Sequence, residues 1–317
     1  MSLRALFAAC CCAAGTCAAA PFAYITNQGS HDVSVIDLAQ QKVVATVPVG
    51  RSPAGVVAAS VTGRVYVSNP DSKTLSVIDM RTQRVVDTLP AGSGPVGIDA
   101  SPDGTRVAVA DWYRNRLLVI DTRQGAAAPT EVEVGRAPAG VAVAADGRSV
   151  YVAERDDDSV ARIDLASGRV GARVKVGTHP FALLLDAPRQ RLYALNVLSD
   201  DVSVIDLRSF VVTATVKVGK APYGAALARG GALLYVTNQH GNSVSVIDAE
   251  TLVTRQTLAG FAYPEGIAAH GERVYVVNWM DDNVAVLDAA SGRTLDTIAT
   301  GTNSRGFGAF IGAPPAP

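Results

Sequence analysis

Three carboxylates stand at positions where the surrounding pattern calls for something else. Asp111 and Glu154 each follow an alternating apolar run, at places where other stretches of the chain carry Asn27, Asn69, Asn196, Asn238 and Asn278. Asp99 lies inside the apolar run "VGIDAS", where comparable runs have Val57, Ala142, Leu184, Ala226 and Ala268. A carboxylate near a cleft is a candidate general base that activates water, chemistry suited to opening a lactone-like or sugar-like ring. Other chemistries find less material. There is no G-x-S-x-G elbow and no glycine-rich phosphate loop opening a helix. The four histidines, His31, His179, His240 and His270, lack paired spacing, so no metal site is expected, although His179 and His240 with Glu154 or Asp111 would supply a donor set. The acidic stretches "RDDDS" and "MDDN" lack the calcium-loop spacing, and no cofactor is implied.

All four cysteines, Cys10, Cys11, Cys12 and Cys17, fall in the opening segment "MSLRALFAACCCAAGTCAAA". Arg4, an apolar stretch and small residues before Pro21 read as a secretory signal peptide over residues 1–19, cut after Ala18 or Ala19. A lipid anchor at Cys17 is disfavoured, because Ala14-Gly15-Thr16 matches that pattern poorly; a buried N-terminal helix is the remaining alternative. No stretch is long and apolar enough to predict a membrane span. A formal net charge of −1 gives no global attraction to nucleic acid or to an anionic membrane. With 48% hydrophobic and 18% charged residues, the chain of 317 residues can bury a sizeable core.

What must position these groups is a repeated unit. Tyr24, Tyr66, Tyr151, Tyr193, Tyr235 and Tyr275 recur, with Ala108 in the equivalent place of the third unit, at spacings of 42, 42, 43, 42, 42 and 40 residues. Each unit contains four alternating runs of strand length separated by Gly, Pro, Asp and Asn, as in "VYVSN", "LSVIDM", "RVVDTLP" and "VGIDAS". Four-stranded units at this period predict an all-β, seven-bladed propeller of antiparallel blades over residues 20–317. The first unit begins at a second strand, and "SRGFGAFI" (304–311) matches the first-strand slot. The C-terminal strand is therefore expected to complete the N-terminal blade, which removes the open sheet edges.

The motifs "YITN", "YVSN" and "YVTN", each followed by "SVID" and then by "VG..P.G", resemble the YVTN-repeat β-propeller family, which includes YncE-like periplasmic proteins and surface-layer proteins. The resemblance covers roughly residues 22–311. It implies a secreted or periplasmic binding propeller; related propeller groups include lactone hydrolases and redox-enzyme subunits.

Residues common to all units are scaffold. Asp37, Asp79, Asp121, Asp164, Asp206, Asp248 and Asp288 end the third strands and should bond turn amides. Function should lie in what differs between units. Second-to-third strand loops and inter-blade loops share one rim, and the non-repeat aromatics gather there: Trp112, Tyr113, Phe181, Tyr223, Phe261, Tyr263 and Trp279. Trp112 and Trp279 take the same loop position in the third and seventh units. Charges join them: Arg114, Arg136, Arg155, His179, His240, Glu265 and Arg305. Aromatic walls with a few charges suit a pocket for a small molecule or a protein partner at the channel mouth. Two alternatives stay open. One is hydrolysis by the rim carboxylates Glu154 and Asp111, or by Asp99. The other is single-stranded nucleic acid stacking on "ADWYRNR", which the acidic loops oppose.

Overall fold

The computed structural model describes residues 21–124 and 128–316; the segment read as a signal peptide, with its four cysteines, lies outside the described residues. Seven four-stranded antiparallel sheets are arranged as blades. Val56–Ala59, Arg64–Asn69, Thr74–Asp79 and Arg84–Pro90 form the second blade, from axis to periphery, and the following units repeat that order. Alternation decides burial within each strand. The second strands, such as Phe22–Asn27 and Leu233–Asn238, lie between neighbours on both faces and are buried along nearly their whole length. The outer strands, such as Lys42–Pro48 and Val211–Lys217, alternate exposed and half-buried residues. The only helical pieces among the described residues are two short 3-10 turns, Pro70–Ser72 and Arg155–Asp157.

The first blade is completed by the C-terminal segment, as the repeat phase requires. Phe22 and Ala23 pair with Gly312 and Ile311, and Asn27 bridges Ser304. Only Ile311–Gly312 is regular strand, shorter than the 304–311 expected. The reason is a detour of the backbone: Gly306 and Gly308 have φ of +67° and +124°. Phe307 and Ala309 thereby accept hydrogen bonds from Val56 and Ala58 of the second blade.

The repeated motif residues join blades to one another. The tyrosine Tyr24 accepts a bond from Gln83 of the next blade, Tyr275 accepts one from Gln41 across the closure, and Tyr235 donates to the Ala289 carbonyl. The hydroxyl two places later does the same: Thr26 donates to Ala54 O, Ser68 to Val96 O, and Thr237 to Glu265 O. The asparagine holds the loop arriving from the preceding blade. Asn238 Nδ2 donates to Ser243 and Ser245, while its Oδ1 accepts the Gly219 N–H at 3.1 Å. Gly219 is the glycine of the "VG" motif, and a Cβ there would fall 2.6 Å from Asn238 Cγ.

All seven strand-ending aspartates accept turn amides, for example Asp206 from Arg208 and Ser209 and Asp248 from Glu250 and Thr251. The hydroxyls of Ser167 and Ser291, then the turn amides, hold the carboxyls of Asp164 and Asp288 below their ordinary range, and the Ser209 amide and hydroxyl do the same for Asp206.

Two outcomes follow. Gly219→Ala should cost about 1–3 kcal/mol by overpacking, and adding Asn238→Ala should cost less than the sum of the single changes, as measured by denaturant unfolding. Because the aspartate pKa values are depressed by folding, their stabilisation is complete above about pH 4 and is lost as pH falls through the lower native values. Stability should therefore be flat from neutrality to about pH 4 and drop below it, with a shallower drop in Asp206→Asn.

Candidate functional site

The loops predicted to share a rim do so, and they interlock. The inter-blade loops donate amides to the second-to-third strand loops: Arg51 to Ser72, Arg136 to Asp157, Thr178 to Ser199, and Tyr263 to Asn242. Innermost strands begin at this rim and run down the axis.

At the centre of the rim the chain closes its own channel. Phe181 and Tyr223, near the starts of the fifth and sixth inner strands (Pro180–Asp186 and Pro222–Ala228), meet Phe307 from the closing segment. Ring centroids are 4.4 Å apart for Phe181–Tyr223, 5.0 Å for Phe181–Phe307 and 5.9 Å for Tyr223–Phe307. All three side chains are buried. Trp112 joins from the third blade, 6.2 Å from Phe181, and stays half-buried. Arg155 of the fourth blade lies over the Trp112 ring with its guanidinium carbon 5.3 Å from the centroid, while pairing with Asp156 at 2.6 Å. The expected mouth is thus a floor of aromatic rings with Trp112 and Arg155 at its edge.

A buried ion pair anchors this floor. Arg305 Nε donates to Glu265 at 2.7 Å, and its other nitrogen reaches the Tyr223 hydroxyl. Gln239 donates to the second Glu265 oxygen at 2.8 Å. Burial pushes the Glu265 carboxyl up, and the Arg305 charge opposes that push. Burial also works against charge on Arg305, but Tyr223 and Glu265 outweigh it and raise its pKa. Both carboxylate oxygens are satisfied, as a buried charge requires.

The two tryptophans do not meet. Trp279 belongs to a second cluster, with its ring 5.5 Å from Tyr263 and tilted by 48°, and its indole N–H directed to Gln28 at 3.4 Å. Tyr263 is 5.4 Å from His240, and the two share a 3.1 Å hydrogen bond. The other predicted rim residues are dispersed. Tyr113 is 74% exposed and covers Gly94. Arg114 is exposed, and Arg136 pairs with Asp157 at 2.7 Å. His179 has φ of +55°, its N–H donates to Asp158, and its Nδ1 is buried with no hydrogen-bond partner among the described residues. No group of three or more His, Cys, Asp or Glu able to hold a metal occurs among the described residues.

The carboxylates considered for acid–base work do not converge. Asp111 is fully buried and accepts the Ser93 and Gly94 amides at 2.8 and 2.9 Å. Glu154, also fully buried, accepts the Gly135 amide and the Ser159 hydroxyl and pairs with Arg173 at 2.9 Å. Both therefore do the asparagine's task of holding an inter-blade loop, and a Cβ on Gly135 would fall 2.6 Å from Glu154 Cδ. Asp99 is elsewhere, in the lower half of the third inner strand (Pro95–Ala100), where it accepts the Val143 and Ala100 amides, both at 2.8 Å. Burial pushes its carboxyl up to about 6 against those two bonds.

Sequence reasoning missed Phe307. Its signal was slight: a bulky residue between two glycines in "SRGFG", the stretch expected to supply a first strand. In the ring Arg305 fills the place of Phe181 and Tyr223, because the Gly306 N–H donates to Thr26 Oγ1 as Gly55 does to Ser68 and Gly224 to Thr237; Phe307 stands two places further on, and its meeting with the two rings becomes visible only when the inner strands are brought to one axis.

An acid whose native pKa is raised binds more protons when folded, so stability falls as pH rises from about 4 to 6 and the deficit persists above. Asp99→Asn should therefore stabilise the fold at neutral pH, by on the order of 2 kcal/mol, and the gain should vanish near pH 4 in chemical denaturation.

Comparison with known proteins places this geometry. No curated protein matches the chain. Among solved structures it is similar to hydrazine synthase of Kuenenia stuttgartiensis, with TM-score 0.75 and 22% identity over 84% of this chain and 92% of that one. A functionally unknown protein of Desulfotomaculum acetoxidans DSM 771 aligns with TM-score 0.79 and 15% identity, over 93% and 99% of the two chains. The dihydro-heme d1 dehydrogenase NirN, in complex with DHE, aligns with TM-score 0.69 and 17% identity, over 90% and 74%. These likenesses carry the fold. The family model of the YNCE-like beta-propeller matches residues 58–145 and 126–314, most of the chain. The chain therefore belongs to the YNCE-like beta-propeller family.

Proposed function

We propose that the protein is a periplasmic or secreted binding module that engages a small molecule or a protein partner at the Trp112–Arg155 edge of the rim. The observation that carries this is the backing of Trp112. Its ring is half-buried, lies under the Arg155 guanidinium and is backed by Phe181, which is itself fixed by Tyr223 and Phe307. A pre-positioned indole loses little conformational freedom on contact, and aromatic and arginine side chains dominate the energetics of interfaces. The leader-like residues 1–19 support a location outside the cytoplasm. No helix among the described residues is long and apolar enough to cross a membrane.

The hydrolase alternative is weakened because Asp111 and Glu154 spend their oxygens on the scaffold and sit apart from Asp99. Two of the similar structures come from enzymes, hydrazine synthase and a dehydrogenase, so the fold serves in catalytic settings too. Single-stranded nucleic acid is weakened for an electrostatic reason: Arg136 and Arg155 are neutralised by Asp157 and Asp156, which breaks up a basic track.

With two tryptophans in the chain, intrinsic emission reports on both clusters. Titrating a panel of small polar compounds and oligonucleotides should identify a quencher. Trp112→Ala should then lower its affinity about 10- to 100-fold, while Trp279→Ala changes it little and both variants keep the native far-ultraviolet spectrum. A ligand held equally well by Trp112→Ala would overturn the assignment, and an oligonucleotide whose affinity falls steeply with salt would replace it with nucleic-acid binding.

A further inference from the structure

Below the aromatic floor the axis is hollow. A cavity of about 400 Å³ is lined by the lower halves of the inner strands, with Phe307 at its upper end. Its walls are glycine, alanine and aliphatic residues, including Val141, Leu184, Leu227 and Ile267. The space exists because the level of Asp99 carries Ala142, Ala226 and Ala268, which leave the axis open. Several lining residues, Leu184, Leu227 and Asp99 among them, are only half-buried, so solvent reaches the cavity.

Asp99 is the one polar side chain among those lining it. Each of its oxygens accepts one backbone amide and keeps a further lone pair. Among the described residues no basic side chain lines the cavity, so none there supplies the carboxylate with a counter-charge. A half-buried carboxylate beside apolar walls is only partly hydrated, and a cation is its natural partner. Here the protein supplies none, whereas Glu154 pairs with Arg173 and Glu265 with Arg305; Asp111 also relies on two amides, but it does not line this cavity.

We propose that this cavity is a second ligand site and that its ligand is a small organic cation with an apolar body, an alkylammonium compound whose charged head meets Asp99 while its chain fills the aliphatic space. An ammonium brings three donors to the free lone pairs. A cavity of this size lies in the range of small-molecule pockets. Anions are excluded by the carboxylate, and a neutral alcohol offers a hydrogen bond without charge. The site is separated from the rim by the aromatic floor, so it stands or falls independently of binding at Trp112.

The test is calorimetric titration of the protein with n-hexylammonium, hexanol and hexanoate, at a pH well above the Asp99 value. Hexylammonium should bind at least about tenfold more tightly than hexanol, and hexanoate should not bind. Asp99→Asn retains an acceptor for the Val143 amide and should lose at least that tenfold preference. Ala226→Leu, which fills the cavity without touching Asp99's charge, should abolish binding while the thermal transition stays cooperative. Equal affinity for hexylammonium and hexanol, no binding of either, or an unchanged preference in Asp99→Asn would overturn the proposal.

Discussion

Seven sheets meeting on one axis leave almost no room where the inner strands converge, and the rest of the molecule follows from that crowding. A Cβ on Gly97 would overlap the Ala139 carbonyl of the next blade, and the same holds for Gly55 against Val96, Gly140 against Phe181 and Gly224 against Glu265. Backbone therefore packs on backbone around the top of the ring. Just above that level Phe181 and Tyr223 turn inward and, with Phe307 from the closing segment, close the mouth. Just below it, alanines relax the crowding and a hollow opens. The axis is thus sealed at one end and accessible at the other.

The repeated motif has a physical meaning that its letters do not announce. Tyrosine and threonine reach forward into the following blade, and asparagine reaches back to the loop that arrives from the preceding one. Each unit is held by polar contacts on both flanks in addition to its apolar faces, consistent with the dependence of a repeat on its neighbours. Substitutions within the motif are informative for the same reason. Asp111 and Glu154 keep the acceptor that the loop glycine's surroundings need; Glu154 balances its charge with Arg173, whereas Asp111 relies on two amides.

The strands, their number, the closure by the C-terminal segment and the turn-capping aspartates were legible in the sequence because each depends on local alternation or on a spacing repeated seven times. The functional rim was legible as a face, since strand direction alone determines which loops share it. Its internal arrangement was not. Trp112 and Trp279 hold equivalent loop positions, yet one packs on Phe181 of the fifth blade and the other on Tyr263 in the loop entering its own blade, because the partner is set by individual residues that the repeat does not share. Buried state was equally hidden: nothing in "VAERDDD" tells Glu154, which is enclosed, from Asp156, which is open. Asp99 stood out correctly as an exception to its strand, but the cavity beside it depends on alanines contributed by three other blades.

The closure has a consequence for how the chain reaches its native state. Phe22–Asn27 belongs to the first unit made during synthesis, yet its inner partner lies at residues 304–312. Until that segment is available, the apolar edge of the first blade stays unpaired, and so does the parallel contact between Gly55 and Phe307. Contacts of such sequence separation are made late and slow the reaction, because the loop they close spans nearly the whole chain. The last contact formed also brings in Phe307 and Arg305, so acquiring the sealed mouth and finishing the ring are a single event. A chain caught before that step would present an open strand edge to other chains, and its lifetime sets how exposed the protein is to aggregation while it folds.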